Sequence, residues 1–210
     1  AAHPERIVDP VSVCVLRPAQ RASPPPARYN ASAILFSNLE RGRADKVALL
    51  CGDRKLTYAQ LCETACRAGN ALASLGLGRG SRVLLLMNDT PEYVAAIFGA
   101  MRAGFVPILV NTLSPPELVA YYLQDSGAEA AIVQGGLLDL VSHVDVAKSR
   151  LRQLVIAGPR EGTVPEGIFT VHDWDEWLRD RPSVLEAADT HRDEMAFWMY
   201  SSGSTGRPKG

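Results

Sequence analysis

The residue types best suited to chemistry lie together at 201–210, in the run Ser-Ser-Gly-Ser-Thr-Gly-Arg-Pro-Lys-Gly, which we call the Ser/Gly loop. Gly203 and Gly206 allow the backbone to turn sharply and to bring N–H groups close to an anion. The hydroxyl groups donate hydrogen bonds, and Lys209 supplies a positive charge suited to phosphate oxygens. Pro208 fixes the backbone directly before that lysine. The run therefore predicts a polyphosphate-binding loop, with the candidate ligands Ser201, Ser202, Gly203, Ser204, Thr205, Gly206 and Lys209.

The Ser/Gly loop does not follow either of the two common nucleotide-binding patterns. The Walker pattern G-x-x-x-x-G-K-[ST] is excluded because the fifth residue after Gly203 is Pro208, and because Gly210 follows the lysine. The pattern G-x-G-x-x-G is excluded because Gly203 and Gly206 are three residues apart. The alternative is an unstructured Ser/Gly-rich tail. The apolar run at 195–200 favours a strand that leads into a binding loop.

The elements that must position this loop alternate between strand and helix. Apolar runs predict strands at 46–51, 82–87, 105–110, 130–133, 151–157 and 195–200. Pro107 lies within one of these runs and indicates an edge strand or a bulge. Residues 161–167 are predicted to be loop.

Start signals predict the helices between these strands. Thr57 and Gln60 have the spacing of a capping box, and Thr90-Pro91-Glu92 combines an N-cap, a first-turn proline and an acidic residue. The same type of signal recurs at Ser114-Pro115-Pro116-Glu117. Predicted helices cover residues near 34–39, 57–76, 90–103 and 114–126, with a short one that begins at Asp173 and packs Trp174 and Trp177 into the core.

Long connections between strands argue against hairpins. The pattern predicts an α/β fold, a mostly parallel sheet with helices on both faces. Ligands of such sheets bind beyond the carboxyl ends of the strands, and the Ser/Gly loop follows the carboxyl end of its strand.

Composition limits the partners. The chain has 210 residues, 47% hydrophobic and 21% charged, with a formal net charge of −1, which argues against nucleic acid and against a membrane surface. No run approaches the ~18 apolar residues of a membrane span, and 1–27 lacks a secretion signal. The four cysteines have no zinc-type spacing with the histidines, so reduced thiols in a cytoplasmic protein are expected. The Pro-rich segment 1–28 predicts an extended or disordered leader before a folded part at 29–210.

Three stretches resemble one enzyme superfamily in order and spacing. The Ser/Gly loop matches the signature [ST]-[ST]-G-[ST]-T-G-x-P-K-G of the adenylate-forming superfamily at every defined position. Leu56-Thr57-Tyr58-Ala59-Gln60-Leu61 is similar to its motif L-T-Y-x-E-L, with Gln in place of Glu, and 99–107 resembles its A-G-x-x-x-P entry to a strand. The resemblance covers about 29–210, as the N-terminal subdomain of the adenylate-forming fold.

Softer marks resemble the benzoate–CoA ligases and related aryl-CoA ligases within that superfamily. These marks are Tyr29-Asn30-Ala31, Asp89-Thr90-Pro91-Glu92-Tyr93, Val110-Asn111-Thr112-Leu113 and Phe197-Trp198-Met199-Tyr200. A fatty-acyl-CoA ligase, a peptide-synthetase adenylation domain and a non-catalytic nucleotide-binding or interaction module stay open as alternatives.

The resemblance implies a two-step ligase reaction. A carboxylate, here a small aromatic acid, attacks the α-phosphate of ATP, and the thiol of coenzyme A then displaces AMP. The candidate loop residues would hold the β- and γ-phosphates, with Mg²⁺ bridging them. No role is implied for Arg207, because the family varies that position. The superfamily's other catalytic and adenine-binding residues lie downstream of Gly210, so we expect this chain to be an N-terminal part of a ligase that is inactive alone. We also expect its last strand to have an exposed edge. A homodimer stays open as an alternative to a monomer.

Overall fold

The computed structural model describes residues 23–142, 144–145, 148–164, 166–167, 169–201 and 207–210. Most of the leader predicted at 1–28 therefore lies outside the described residues. Residues 25–28 lie beside a later segment of the chain, because the carbonyl of Ala27 accepts a hydrogen bond from the N–H of Arg192 and Arg28 forms an ion pair with Asp189.

Strands and helices follow one another in the predicted order. The elements are α1 (Ala33–Glu40), β1 (Val47–Cys51), β2 (Arg54–Thr57), α2 (Tyr58–Ala73), β3 (Arg82–Leu86), α3 (Pro91–Arg102), β4 (Val106–Leu109), α4 (Pro116–Ser126), β5 (Ala130–Gln134), a 3₁₀ helix (Gly135–Val141), β6 (Gln153–Ala157), β7 (Thr170–Asp173), α5 (Trp174–Leu178) and β8 (Trp198–Met199). Six strands form one sheet in the order β7-β6-β5-β3-β4-β8, and every neighbouring pair is parallel. The predicted parallel sheet is thus confirmed.

Side chains that alternate along each central strand enter two different cores. In β3, Val83 and Leu85 pack in one core with side chains from α1, α2, α3 and α5, whereas Leu84 and Leu86 pack in the other with α4 and the 3₁₀ helix. All four side chains are fully buried. Because successive side chains of a strand point to opposite faces, a continuous apolar run needs helices on both faces. The structure confirms that arrangement.

Three of the four predicted helix starts, at Thr57, Thr90 and Asp173, are confirmed, and the one at Ser114 is wrong. The N–H of Gln60 donates to Oγ1 of Thr57 at 3.3 Å, and the N–H of Thr57 donates to Oε1 of Gln60 at 2.9 Å, which completes the capping box. Thr90 accepts from the N–H of Tyr93 at the start of α3. At α4 the N-cap is Pro115 and no side chain caps the helix. The predicted cap, Ser114, instead lies 3.4 Å from the hydroxyl of Tyr122.

The structure corrects the predicted strands in three places. β1 and β2 form an antiparallel hairpin, contrary to the expectation that the connections are too long for hairpins. β7 was not predicted, because its side chains are mostly exposed and lack an apolar run. β8 covers only two residues of the predicted 195–200, since it pairs with β4 only at Ile108 and Leu109. Pro107 keeps its register with Val83, so β4 has no bulge there, and β4 lies between β3 and β8, which pairs with it only at Ile108 and Leu109, beyond the proline.

β8 forms one edge of the described sheet, as expected for the last strand. Met195 and Phe197, which precede β8, and Met199 within it are exposed, whereas Trp198 and Tyr200 pack against the core of α4. Among the described residues, no helix is long and apolar enough to cross a membrane.

The helices α2 and α3 lie in close backbone contact. A Cβ placed on Gly99 of α3 would lie 2.5 Å from the carbonyl oxygen of Ala65 and 2.9 Å from the nitrogen of Gly69, both in α2. Only a residue without a Cβ allows this approach. Gly99, the first residue of the third resembling stretch, therefore has a packing reason in this fold.

Candidate functional site

The Ser/Gly loop begins at the carboxyl edge of the parallel sheet. β8 ends at Met199 and is parallel to β4, so the following residues lie at the same edge as the segments after β3, β4 and β5. Ligand sites of parallel α/β sheets lie at this edge, because the loops there connect strands to the starts of helices. The fold thus positions the loop as predicted.

Two clefts open at the same edge. One of about 380 Å³ lies beyond β3 and β4 and is lined by Met87, Asn88, Asp89, Tyr93, Val110, Asn111 and Thr112. Another of about 230 Å³ lies beyond β3, β5 and β6 and is lined by Arg54, Thr90, Glu92, Gln134, Ala157, Gly158, Trp174 and Asp175. The first cleft contains residues of two of the softer sequence marks, 89–93 and 110–113.

A third cavity, of about 390 Å³, lies at the opposite edge. Its lining includes Arg82 and Val106, which begin β3 and β4. It also includes Asn30 of the first softer mark, whose amide donates to the carbonyls of Met101 and Ala188. Asn30 therefore ties segments of the chain together on the side of the sheet away from the Ser/Gly loop.

Two of the predicted site residues close the base of the loop. The N–H of Ser201 donates to the carbonyl of Lys209 at 2.9 Å, and the N–H of Lys209 donates to the carbonyl of Ser201 at 3.0 Å. Both residues are exposed, and within the described part of the chain the ammonium of Lys209 has no ion-pair partner. The ammonium is therefore available to an anion held inside the loop.

Five of the predicted site residues lie outside the described residues. These are Ser202, Gly203, Ser204, Thr205 and Gly206. Their role in phosphate binding stays a prediction, since only the flanks of the loop, Tyr200–Ser201 and 207–210, are described.

Aromatic side chains of α4 lie against both flanks of the loop. The hydroxyl of Tyr121 donates to the carbonyl of Pro208 at 3.2 Å, and the hydroxyl of Tyr200 donates to Oδ2 of Asp125 at 2.8 Å. The guanidinium carbon of Arg207 lies 5.3 Å from the centre of the Tyr121 ring. Burial, with the hydrogen bond to Asp125, raises the pKa of Tyr200 above its usual value. These contacts could not be predicted from the sequence, because nothing in it shows that β8 ends beside α4.

The last glycine of the loop has a close neighbour. A Cβ on Gly210 would lie 1.6 Å from Nε1 of Trp198, so this position needs a residue without a side chain. Arg82 covers the same indole ring, with its guanidinium carbon 4.9 Å from the ring centre. Trp198, the first residue of β8, thus lies between a residue of β3 and the end of the loop.

Metal and thiol chemistry have little support in the described residues. No group of three or more His, Cys, Asp or Glu side chains there could hold a metal ion. Cys62 and Cys66 are buried and Cys51 is half-buried, as predicted, whereas Cys14 lies outside the described residues. Burial raises the pKa of Cys62 to about 11, so this thiol stays protonated at neutral pH.

Fold and loop position together define a parallel α/β domain with its ligand edge at the carboxyl ends of the strands. The sequence model of a family described as AMP-binding enzyme matches residues 36–210. The chain belongs to this family of AMP-binding enzymes.

Relatives and solved structures agree with this membership. The chain is 35% identical over 191 residues to the 3-hydroxybenzoate–CoA/4-hydroxybenzoate–CoA ligase of Thauera aromatica, which covers 91% of this chain and 36% of that protein. The benzoate–CoA ligase of Thauera aromatica is 36% identical over 187 residues, 88% of this chain and 34% of that protein. The crystal structure of the anthranilate CoA ligase AuaEII in complex with anthranoyl-AMP superposes with a TM-score of 0.78 at 38% identity, over 88% of this chain and 34% of that one. The chain thus spans about a third of the length of these relatives.

Proposed function

We propose that residues 29–210 are the N-terminal part of an AMP-binding domain that belongs to an ATP-dependent aryl-CoA ligase acting in the cytoplasm. The observation that carries the proposal is the paired base of the Ser/Gly loop, Ser201 with Lys209, at the carboxyl edge of the sheet. Its support from outside the loop is the similarity to proteins named as benzoate– and hydroxybenzoate–CoA ligases.

The chemistry of the loop suits a nucleotidyl transfer. A carboxylate oxygen attacks the α-phosphorus of ATP, the bond from that phosphorus to the bridging oxygen breaks, and pyrophosphate leaves with the bonding electrons. Lys209 and the hydroxyl and N–H groups of the Ser/Gly loop would stabilise the negative charge that develops on pyrophosphate. Mg²⁺ would bind the phosphate oxygens and neutralise part of their charge.

The second half-reaction would make the thioester. The thiol of coenzyme A attacks the carbonyl carbon of the acyl-adenylate, and AMP leaves. None of the described residues is assigned to this step. The loop residues would already have released pyrophosphate, so their substitution should act on the first half-reaction alone.

The test is carboxylate-dependent exchange of labelled pyrophosphate into ATP, measured on the full-length gene product with benzoate, 3-hydroxybenzoate and 4-hydroxybenzoate. Lys209→Ala should lower kcat of the exchange about 10²-fold or more, the loss typical for one group that stabilises transition-state charge, and change KM for the acid little. Lys46→Ala, at an exposed lysine before β1, is the matched control and should leave both constants unchanged.

Other outcomes select other functions. Exchange that depends on a long-chain fatty acid or on an amino acid would replace the aryl acid with one of those substrates. ATP binding without exchange for any acid would point to a non-catalytic binding module. Equal and small effects of Lys209→Ala on kcat and KM would refute the phosphate role of the loop.

A further inference from the structure

Both flanks of the Ser/Gly loop are attached to the same face of α4. Tyr121 and Asp125 are four residues apart, so their side chains lie one above the other on the helix. Tyr121 contacts the flank after the loop at Pro208, and Asp125 contacts the flank before it at Tyr200. One turn of one helix therefore contacts the chain where it enters the loop and where it leaves.

The attachment after the loop consists of two contacts with one tyrosine. The hydroxyl of Tyr121 donates to the carbonyl of Pro208, the residue bonded to Lys209. The ring of Tyr121 meanwhile lies beside the guanidinium of Arg207, at a distance typical of a cation–π interaction. These contacts hold the two residues directly before Lys209.

The attachment before the loop involves several aromatic rings and one carboxylate. The ring of Tyr200 packs with its centre 4.4 Å from that of Tyr122 and 5.9 Å from that of Trp198. Its hydroxyl is bound to Asp125. This flank is thus fixed to the sheet and to α4 at once, which makes it the rigid reference for the loop.

Backbone pairing joins the two flanks only to each other. The two hydrogen bonds between Ser201 and Lys209 connect the flanks but attach neither of them to α4. The hydrogen bond from Tyr121 joins the second flank to the helix that already holds the first. Groups that stabilise transition-state charge act only when held in place before the reaction.

We propose that Tyr121 is a positioning residue that sets the place of the Lys209 ammonium through Pro208. This inference rests on the proposed function, because the effect is on the step that Lys209 serves. Tyr121 does not touch the substrates in this proposal. Asp125, through Tyr200, holds the other flank.

The test compares two substitutions of Tyr121 by pyrophosphate exchange on the full-length gene product. Tyr121→Phe keeps the ring beside Arg207 and removes the hydroxyl, and it should lower kcat about 2- to 10-fold, the range expected for one net hydrogen bond, with KM for the acid unchanged. Tyr121→Leu removes both contacts and should lower kcat further. Tyr58→Phe, at a half-buried tyrosine of α2, is the matched control and should leave kcat unchanged.

A double-mutant cycle separates positioning from a general effect on folding. Adding Tyr121→Phe to Lys209→Ala should cost nothing more, because the hydroxyl acts through the lysine. A full additional loss in the double variant, or an unchanged kcat in Tyr121→Phe while Lys209→Ala is impaired, would overturn the positioning role and leave the proposed function standing.

Pyrophosphate binding keeps the inference testable if no acid supports exchange. Calorimetric titration with magnesium pyrophosphate should show affinity weakened about 2- to 10-fold by Tyr121→Phe and more by Lys209→Ala. Unchanged affinity in Tyr121→Phe would refute positioning in this assay too. Absence of both exchange and pyrophosphate binding in the unmodified protein would refute the proposed function and this inference together.

Discussion

Gly99→Ala is expected to destabilise the fold although alanine is the better helix former. Gly99 lies in α3 where the backbone of α2 is closest. The new Cβ would lie 2.5 Å from the oxygen of Ala65, 2.9 Å from the nitrogen of Gly69 and 3.1 Å from Cβ of Ala68. Two of these three atoms belong to the backbone, so no change of rotamer relieves the contact. The helices themselves must separate.

The size of the effect follows from two opposing contributions. Ordinary contact begins near 3.4 Å, so the helices must part by about 1 Å against a close-packed core. Overpacking of this kind costs about 1–3 kcal/mol. Alanine recovers up to about 1 kcal/mol of helix propensity. With the full helix-propensity gain, the net loss in the free energy of unfolding is up to about 2 kcal/mol, which lowers Tm by up to about 8 °C in a domain of this size.

Thermal unfolding followed by circular dichroism measures this loss. Gly78→Ala is the matched control, because a Cβ there would meet only Oγ of Ser81 at 4.0 Å and the residue has no positive φ. Its Tm should change by less than about 2 °C. If Gly99→Ala matched or exceeded the Tm of the unmodified protein, the close backbone approach of α2 and α3 would be refuted.

Two further predictions concern titratable groups. Because burial raises the pKa of Cys62 to about 11, its thiol should react slowly with a disulfide reagent at pH 8. A variant whose only cysteine is Cys62 should react far more slowly than a variant whose only cysteine is the half-buried Cys51. Equal reaction rates of the two folded variants would contradict this. Burial alone would raise the pKa of Glu92, but the hydrogen bond and charge of Arg54, together with hydrogen bonds from the Glu92 backbone and the Thr90 side chain, hold the pKa below its usual value. The ionised Glu92 carboxylate therefore stabilises the fold above its unfolded-state pKa, and this contribution is lost as pH falls through the folded-state pKa. In urea titrations, the free energy of unfolding should fall less steeply with decreasing pH in Glu92→Gln than in the unmodified protein.

The strands that could be predicted from the sequence are those whose residues are nearly all apolar because the strand is buried on both faces. β3 and β5 are continuous apolar runs because both of their faces meet helices. β2 and β7 lack this signal. Two of the four residues of β2 are exposed, and the strand ends at Thr57, which is also the N-cap of α2. β7 is an exposed edge strand. Their pairing partners, rather than their own side chains, decide that they are strands.

The candidate site also has a part that the sequence predicts and a part that it does not. The Ser/Gly loop could be found from its residues alone, since phosphate binding needs glycines, hydroxyls and a cation close together in the chain. The contacts of Tyr121 could not. It precedes Pro208 by 87 residues, and only the order of the strands brings the two together. Arg207 was given no role, yet its guanidinium lies beside the ring that holds the loop.

The support of the loop by α4 follows from the way the sheet is connected. The chain leaves β4, passes through α4 and returns to β5 on the far side of β3, so α4 crosses one face of the sheet. β8 pairs with the free side of β4, which places its carboxyl end beside that crossover helix. The loop is thus held by a helix that connects two other strands. A substitution at Tyr121, on the side of α4 that faces the loop, should therefore act at Lys209, whereas substitutions in the helices on the opposite face, α2 and α3, should affect stability without acting on the loop.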